Sequence, residues 1–338
     1  MFRIKNLALS WQAMVMHAVA ANALETYDSI TIREDLSDAE NMISPVETPF
    51  MSRIAGRTTA SNKYHEWPIV ELGSVDSSNR VPEGEDAPSI DAPVLALRRG
   101  NYTQISDKVV KVTDTSQRVD GAAKVEKLSK QIAYKLKELK RDKETMLLAN
   151  VAADPGAATG ATTRKAAGLS AFSLTNDQLG TSGTSPTLSG TTTGYPNAAA
   201  VNGTLRNFDE TMLGNAIQAV WTEGGDPKYV MCSPTNKKTI SDFTGNATKY
   251  KDANDKKITR SIDVYESDFG QVQVIPNRFN PARDVFILDP EFIKIAELQP
   301  TRQLELARTG HTENRLIQSE YTLEVGNEKA MAVVRDTN

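Results

Sequence analysis

Val125-Glu126-Lys127-Leu128-Ser129-Lys130-Gln131-Ile132-Ala133-Tyr134-Lys135-Leu136-Lys137-Glu138-Leu139-Lys140-Arg141-Asp142 is the most periodic run in the chain, and Met146 and Leu147 continue it. Its apolar members Val125, Leu128, Ile132, Leu136 and Leu139 recur at three- and four-residue steps, the spacing of one side of an α-helix. Ser116 stands where a cap would sit and no proline interrupts, so the pattern predicts a helix over 117–150. Roughly 30 residues at 1.5 Å each would make a rod of about 45–50 Å. The polar side carries Lys124, Lys127, Lys130, Lys135, Lys137, Lys140, Arg141 and Lys143 against fewer acids. Such a side is either simply solvated or a basic landing strip for an acidic neighbour.

Upstream of the rod, Tyr64 to Leu72 alternates like a strand, and strand character resumes at Val94–Leu97 and Tyr102–Ile105. Between them lies a polar stretch, Ser74 to Asp91, with Pro82, Gly84, Pro88 and the acids Glu83, Glu85 and Asp86. The expectation is an extended hairpin with a long acidic tip. A two-stranded ribbon alone is marginal in water, so it needs a neighbour. Earlier still, Thr26–Gly56 holds Pro45 and Pro49, which disfavour a long helix, and few residues able to anchor a core; it reads as an arm.

Residues 1–20 begin with Arg3 and Lys5 before Leu7-Ala8-Leu9, and Ala18–Ala23 offers small residues where a signal peptidase could cut. Ser10, Gln12 and His17 interrupt the apolar core, which favours a helical arm or an extension upstream of a later start over an export signal.

Downstream, Ala152–Thr204 is rich in Gly, Ser, Thr and Ala and is expected to be a long, poorly packed surface loop. A helix is expected at Asn207–Glu223, with Leu213, Ala216, Ile217, Val220 and Trp221 on one side and Gly224-Gly225 ending it. A strand (Tyr229–Cys232), a short helix (Pro234–Phe243) and a Lys-rich segment (Thr244–Lys257) follow. The last part is strand-dense: Ile262–Tyr265, Val272–Ile275, Val285–Leu288, Ile293–Leu298, Leu316–Val325 and Ala330–Val334. The fold class is α+β, with one long helix, a late sheet and two projecting appendages.

Composition narrows the function. The 338 residues are 39% hydrophobic and 24% charged, with net charge −4. That balance opposes a protein built to wrap nucleic acid, which needs clustered Lys and Arg, and does not exclude a wall that merely encloses it. The single Cys232 cannot close an intrachain disulfide and reads as a buried thiol. No apolar run approaches the ~20 residues of a membrane span.

Catalysis finds no foothold. His17, His65 and His311 have no second His or Cys at metal-ligand spacing, and no HExxH, CxxC, GxSxG or phosphate-loop motif occurs. Sequence alone does not pair Asp289 with Glu291 or Glu320 as acid and base; Asp289-Pro290 is expected to turn the chain. The reading is a non-enzyme without metal or cofactor.

A set of short motifs is familiar in order. Thr26-Tyr27-Asp28, Arg33-Glu34-Asp35-Leu36, Ile43-Ser44-Pro45 and Thr48-Pro49-Phe50 resemble the opening of the SU-ten-like family of phage major capsid proteins. Glu138-Leu139-Lys140-Arg141-Asp142, Gly168-Leu169, Thr175-Asn176, Trp221 with Gly224-Gly225, Phe269-Gly270, Asn277-Arg278, Leu288-Asp289, Thr309-Gly310 and Glu320–Val325 continue the series over roughly residues 26–335.

The resemblance implies the Hong Kong 97-type capsid fold. Its parts would be an N-terminal arm (1–60, of which 1–20 stand before the usual start), an extended loop (61–105), a peripheral domain with the spine helix (106–165), an axial domain (166–260) and strands returning to the peripheral domain (261–338). It implies a self-assembling subunit of the virion shell, made in the host cytoplasm, with pentamers and hexamers closing an icosahedral head around double-stranded DNA. The partners would be copies of itself, with portal, scaffolding or decoration proteins, no sequence-specific DNA contact and no membrane. Candidate inter-subunit residues are Glu83, Glu85 and Asp86 at the hairpin tip, Arg98 and Arg99 on its return strand, and Lys135, Lys140 and Arg141 on the rod. The alternative reading is an exported surface-layer or adhesin-type protein.

Overall fold

A computed structural model describes residues 44–84, 93–119, 124–125, 127–157, 162–243, 263–308 and 310–338. Two sheets organise it. A four-stranded sheet runs in the order β1 (Gly56–Thr59), β13 (Ile293–Glu305), β14 (Thr312–Val325) and β4 (Gln104–Thr113). A six-stranded sheet runs β10 (Val264–Ser267), β11 (Gly270–Pro276), β9 (Tyr229–Cys232), β12 (Val285–Leu288), β15 (Met331–Val334) and β5 (Asp177–Gln178). A smaller sheet joins β2 (Tyr64–Ile69), β3 (Leu97–Tyr102) and β7 (Thr193–Gly194), and β6 (Thr187–Leu188) pairs with β8 (Pro196–Ala198).

The helices are α1 (Asp114–Arg118), α2 (Leu128–Leu148), α3 (Glu210–Thr222) and α4 (Pro234–Asp242). The helix expected over 117–150 is shorter, 21 residues or about 31 Å. Thr113, not Ser116, caps the preceding short helix, its hydroxyl accepting from the Ser116 N–H. Val119 is extended and Lys124 sits at φ 52°, a left-handed conformation no helix interior admits, so the two helices cannot merge. The strand expected to end at Ile105 is a separate ten-residue strand, β4, whose Val110 and Val112 pack with Leu139 and Ile317 between α2 and the sheet.

Strand alternation divides the core. Val230, Cys232, Val272, Val274, Val285, Ile287, Ala332 and Val334 face α3 and α4, with Leu213, Ile217 and Ile240. Met231, Ile275, Phe286, Leu288, Met331 and Val333 point the other way into the main core. Buried on both sides, β12 and β15 read as unbroken apolar runs. Burial lifts the Cys232 thiol to about 12, so it is an inert core residue. Asp289 turns the chain as expected, its carboxylate accepting from the Glu291 N–H between β12 and β13.

Three expectations are corrected. The arm was expected to lack core anchors, yet Phe50, Met51 and Ile54 form a π-helical turn and are buried in the main core. The segment 152–204 is not poorly packed, because Ala166, Ala167, Leu169, Ala171 and Phe172 are fully buried. Its small residues permit close approach: a Cβ at Gly168 would lie 2.1 Å from the Ala149 carbonyl oxygen. Trp221 does not share the buried side of α3; it is 55% exposed and packs on Phe269 at 5.2 Å.

Candidate assembly surface

The hairpin grows from a locked root. In β2, Trp67 and Ile69 turn inward, Trp67 lying 6.1 Å from Phe172. In β3, Asn101 is fully buried, its amide donating to the Ala167 and Leu323 carbonyls (3.1 and 3.0 Å) while its oxygen accepts from the Ala167 N–H (2.8 Å). Tyr64 stacks with Tyr102 at 4.7 Å, and Tyr195 abuts both edge-on. Gly100 makes room for this, since a Cβ there would meet the Tyr64 ring at 2.6 Å. His65 meets Glu324 at 3.0 Å, and Lys329 bridges Glu71 of the hairpin to Glu223 at the end of α3, both 3.3 Å.

Beyond this root the ribbon has no core to join. Val70, Leu72, Val75, Val81, Val94 and Leu95 are exposed, Leu72 at 86% and Val75 at 99%. Scattered apolar surface is ordinary, but here six such side chains fall within one segment, residues 70–95.

The predicted site residues fall into separate places. Glu83 is exposed on the distal ribbon, while Glu85 and Asp86 lie outside the described residues. Arg98 and Arg99 sit at the root: Arg98 pairs with Glu66 at 3.7 Å and Arg99 donates to the Thr191 carbonyl at 2.8 Å. On α2, Lys135 pairs with Glu138 at 2.8 Å, Lys140 is exposed and Arg141 half-buried. Lys143, read as part of the basic side, instead points inward. Its ammonium donates to the Ser319 and Thr301 hydroxyls (2.6 and 3.0 Å) over the Tyr321 ring, and burial pushes its pKa down.

Two constellations escaped the sequence reading. Glu144 accepts from the Phe50 and Met51 N–H groups and from Asn277, tying the arm's anchor to α2 and to the end of β11. Lys143 lies on the apolar stripe between Leu139 and Leu147, which could have flagged a buried polar pair there. At the far end of the chain, Arg335 pairs with Asp177 at 2.5 Å and bonds Ser170, while Asp336 accepts from the Gly180 and Gly203 N–H groups and pairs with Arg283. These stitch the Gly/Ser/Thr-rich segment to β15, and nothing in its composition announced them.

Among the described residues no group of three or more His, Cys, Asp or Glu could hold a metal ion, and no helix is long and apolar enough to cross a membrane.

Comparison with known proteins gives this geometry its context. Residues 18–338 match the model of the SU10 major capsid protein family. The chain is 25% identical over 337 residues to the major capsid protein of Escherichia phage Phieco32, covering 91% of this chain and 95% of that one. Its fold is similar to that of the cyanophage A-1(L) capsid asymmetric unit, with TM-score 0.62 and 14% identity over 93% of this chain and 98% of that chain. The capsid of a native GTA particle gives 0.60 and 12% over 94% and 100%, and a chain of Mycobacterium phage Bobi 0.57 and 13% over 94% and 99%. The surface-layer alternative is not favoured, and the family is structural rather than enzymatic. With its mixed helix-and-sheet fold, this chain belongs to the SU10 major capsid protein family and is a building block of a bacteriophage virion shell.

Proposed function

We propose that the chain is a Hong Kong 97-type subunit that assembles, through its arm and its ribbon, into pentamers and hexamers of an icosahedral shell around double-stranded DNA. In this reading 1–60 is the arm, 61–105 the extended loop, 106–165 the peripheral domain with α2 as spine, 166–260 the axial domain, and 261–338 the returning strands. The observation that carries it is the contrast within the ribbon, a root held by buried contacts and a distal half whose Leu72, Val75 and Leu95 touch nothing of their own chain's core. Each such side chain covered by a neighbour contributes about 1.5–3 kcal/mol before ordering costs. Repeated around a closed shell, weak contacts add up while each stays reversible.

The acidic tip supplies direction. Glu83, Glu85 and Asp86 dock against a basic surface of the next subunit, with Lys135, Lys140 and Arg141 of α2 as the receiving residues and Arg98 and Arg99 holding the ribbon's return strand. The inner wall is near neutral or acidic, in keeping with net charge −4, so packaged DNA is enclosed and not gripped. Portal, scaffolding or decoration proteins are further partners of such a shell.

Charge reversal at all three tip acids, viewed by negative-stain microscopy beside wild type, tests the docking. Absent or misassembled particles are expected, and normal particles would remove it. Tight, salt-sensitive DNA binding by purified subunits would overturn the inner-wall reading.

A further inference from the structure

Helix α3 buries Leu213, Ala216, Ile217 and Val220 against the six-stranded sheet. Its other side carries Thr211, Gly214, Asn215, Gln218, Trp221 and Thr222, and after Glu210 the helix has no charged residue at all. Three observations set this side apart from an ordinary solvated surface. Solvent-facing helix sides are usually charged, and this one is not. Trp221 is more than half exposed, its ring resting on that of Phe269. Gly214 sits in the helix interior with nothing within 4 Å of the place a Cβ would occupy. Glycine there costs about 1 kcal/mol relative to alanine, and no contact among the described residues asks for it. Gly214, Gln218 and Trp221 stand at i, i+4 and i+7, one stripe along the helix.

We propose that this stripe is a contact between copies of the chain, with Trp221 as its anchor and Gly214 as the point where the neighbour's backbone comes closest. The inference rests on the reading of the chain as a shell subunit and adds to it a second surface, on a different element from the ribbon. The occupant is a second copy on chemical grounds. Nucleic acid would need cations here, and the stripe has none, while Asp268 beside it is acidic and exposed and Lys329 nearby is already paired with Glu223 and Glu71. Charge depletion with an exposed tryptophan is the composition of a protein–protein interface core. Copies of the same chain are the surroundings that every subunit of a shell must have.

The test uses shells assembled from the purified full-length chain alone. Acrylamide quenching of Trp221, taken as the difference between wild type and Trp221→Phe, should be efficient in free subunits and suppressed severalfold in shells. Gly214→Gln provides the second arm, since its side chain enters open space in the free subunit. That variant should melt no lower than wild type yet need about tenfold or more subunit to assemble. Shells in which Trp221 stays as quenchable as in subunits, or in which Gly214→Gln assembles like wild type, would overturn the contact and leave the shell reading intact. Shielding that appears only when another virion protein is added would assign the stripe to that protein instead. Wild-type chain that forms no shells, rings or tubes would defeat the shell reading, and the contact with it.

Discussion

The carboxylate of Glu144 accepts the backbone N–H of Phe50 at 2.7 Å, joining α2 to a residue 94 positions earlier. It also takes the Met51 N–H and the Asn277 amide, so one fully buried side chain satisfies three donors from two distant parts of the chain. Burial raises the Glu144 pKa, and these three bonds oppose that rise. Glu144→Ala should lower unfolding free energy by about 3 kcal/mol, measured by chemical denaturation. It should also open Arg53 and Arg57 to trypsin under native conditions. An unchanged cleavage pattern would mean that the apolar contacts of Phe50 hold the anchor by themselves.

A pH dependence follows from Asp177. Burial, outweighing the attraction of Arg335, lifts its pKa from 3.8 to about 6. The folded chain then holds this proton more tightly than the unfolded chain does. The stabilisation is fully present below about pH 4 and is lost as pH rises through 6, a change approaching about 3 kcal/mol. Asp284, raised by burial in the same cluster, acts in the same direction. Denaturation curves between pH 4 and 7 should show the decline, and Asp177→Asn should flatten it.

Gly168 offers a steric test. Its missing Cβ would fall 2.1 Å from the Ala149 oxygen and 2.9 Å from that of Met146, both backbone atoms at the end of α2. Gly168→Ala should therefore cost about 2 kcal/mol or more, seen as a lower thermal midpoint. Gly73, with open space around it, should tolerate the same change.

The distal ribbon should separate folding from assembly. Leu72→Asp with Leu95→Asp alters two side chains that are 86% and 76% exposed, so subunit stability should move by no more than about 0.5 kcal/mol. Sedimentation should nonetheless show subunits where wild type gives shells. Assembly at the wild-type level would deny the ribbon its role.

Much of this organisation was legible in the sequence, for identifiable reasons. Strands β9 and β12 announced themselves because both sides are apolar, and α3 because its stripe repeats cleanly. The ribbon was legible only in part: Tyr64–Ile69 is a strand as expected, but its partner is Leu97–Tyr102, most of which lies between the two runs read as strand, and 85–92 lie outside the described residues. The start of α2 was misread because the apolar steps from Val125 to Leu139 carry no mark of the left-handed backbone at Lys124. Lys143 was misread because its charge pointed to water, whereas Thr301 on β13 and Ser319 and Tyr321 on β14 receive it from 158 or more positions away. The same distance hid the anchoring of Phe50 and the burial of 166–172. Both depend on partners that no local pattern names.

Strand β15 lies between β12 and β5, and Asn101 bonds to the Leu323 carbonyl, 222 positions onward. A ribosome translating this message therefore exposes the ribbon and α2 long before it delivers Val334, the last residue either sheet needs to close. At ordinary elongation speeds the interval is on the order of tens of seconds. Closure of the six-stranded sheet is thus reserved for the end of synthesis, because β15 carries almost the last residues of the chain.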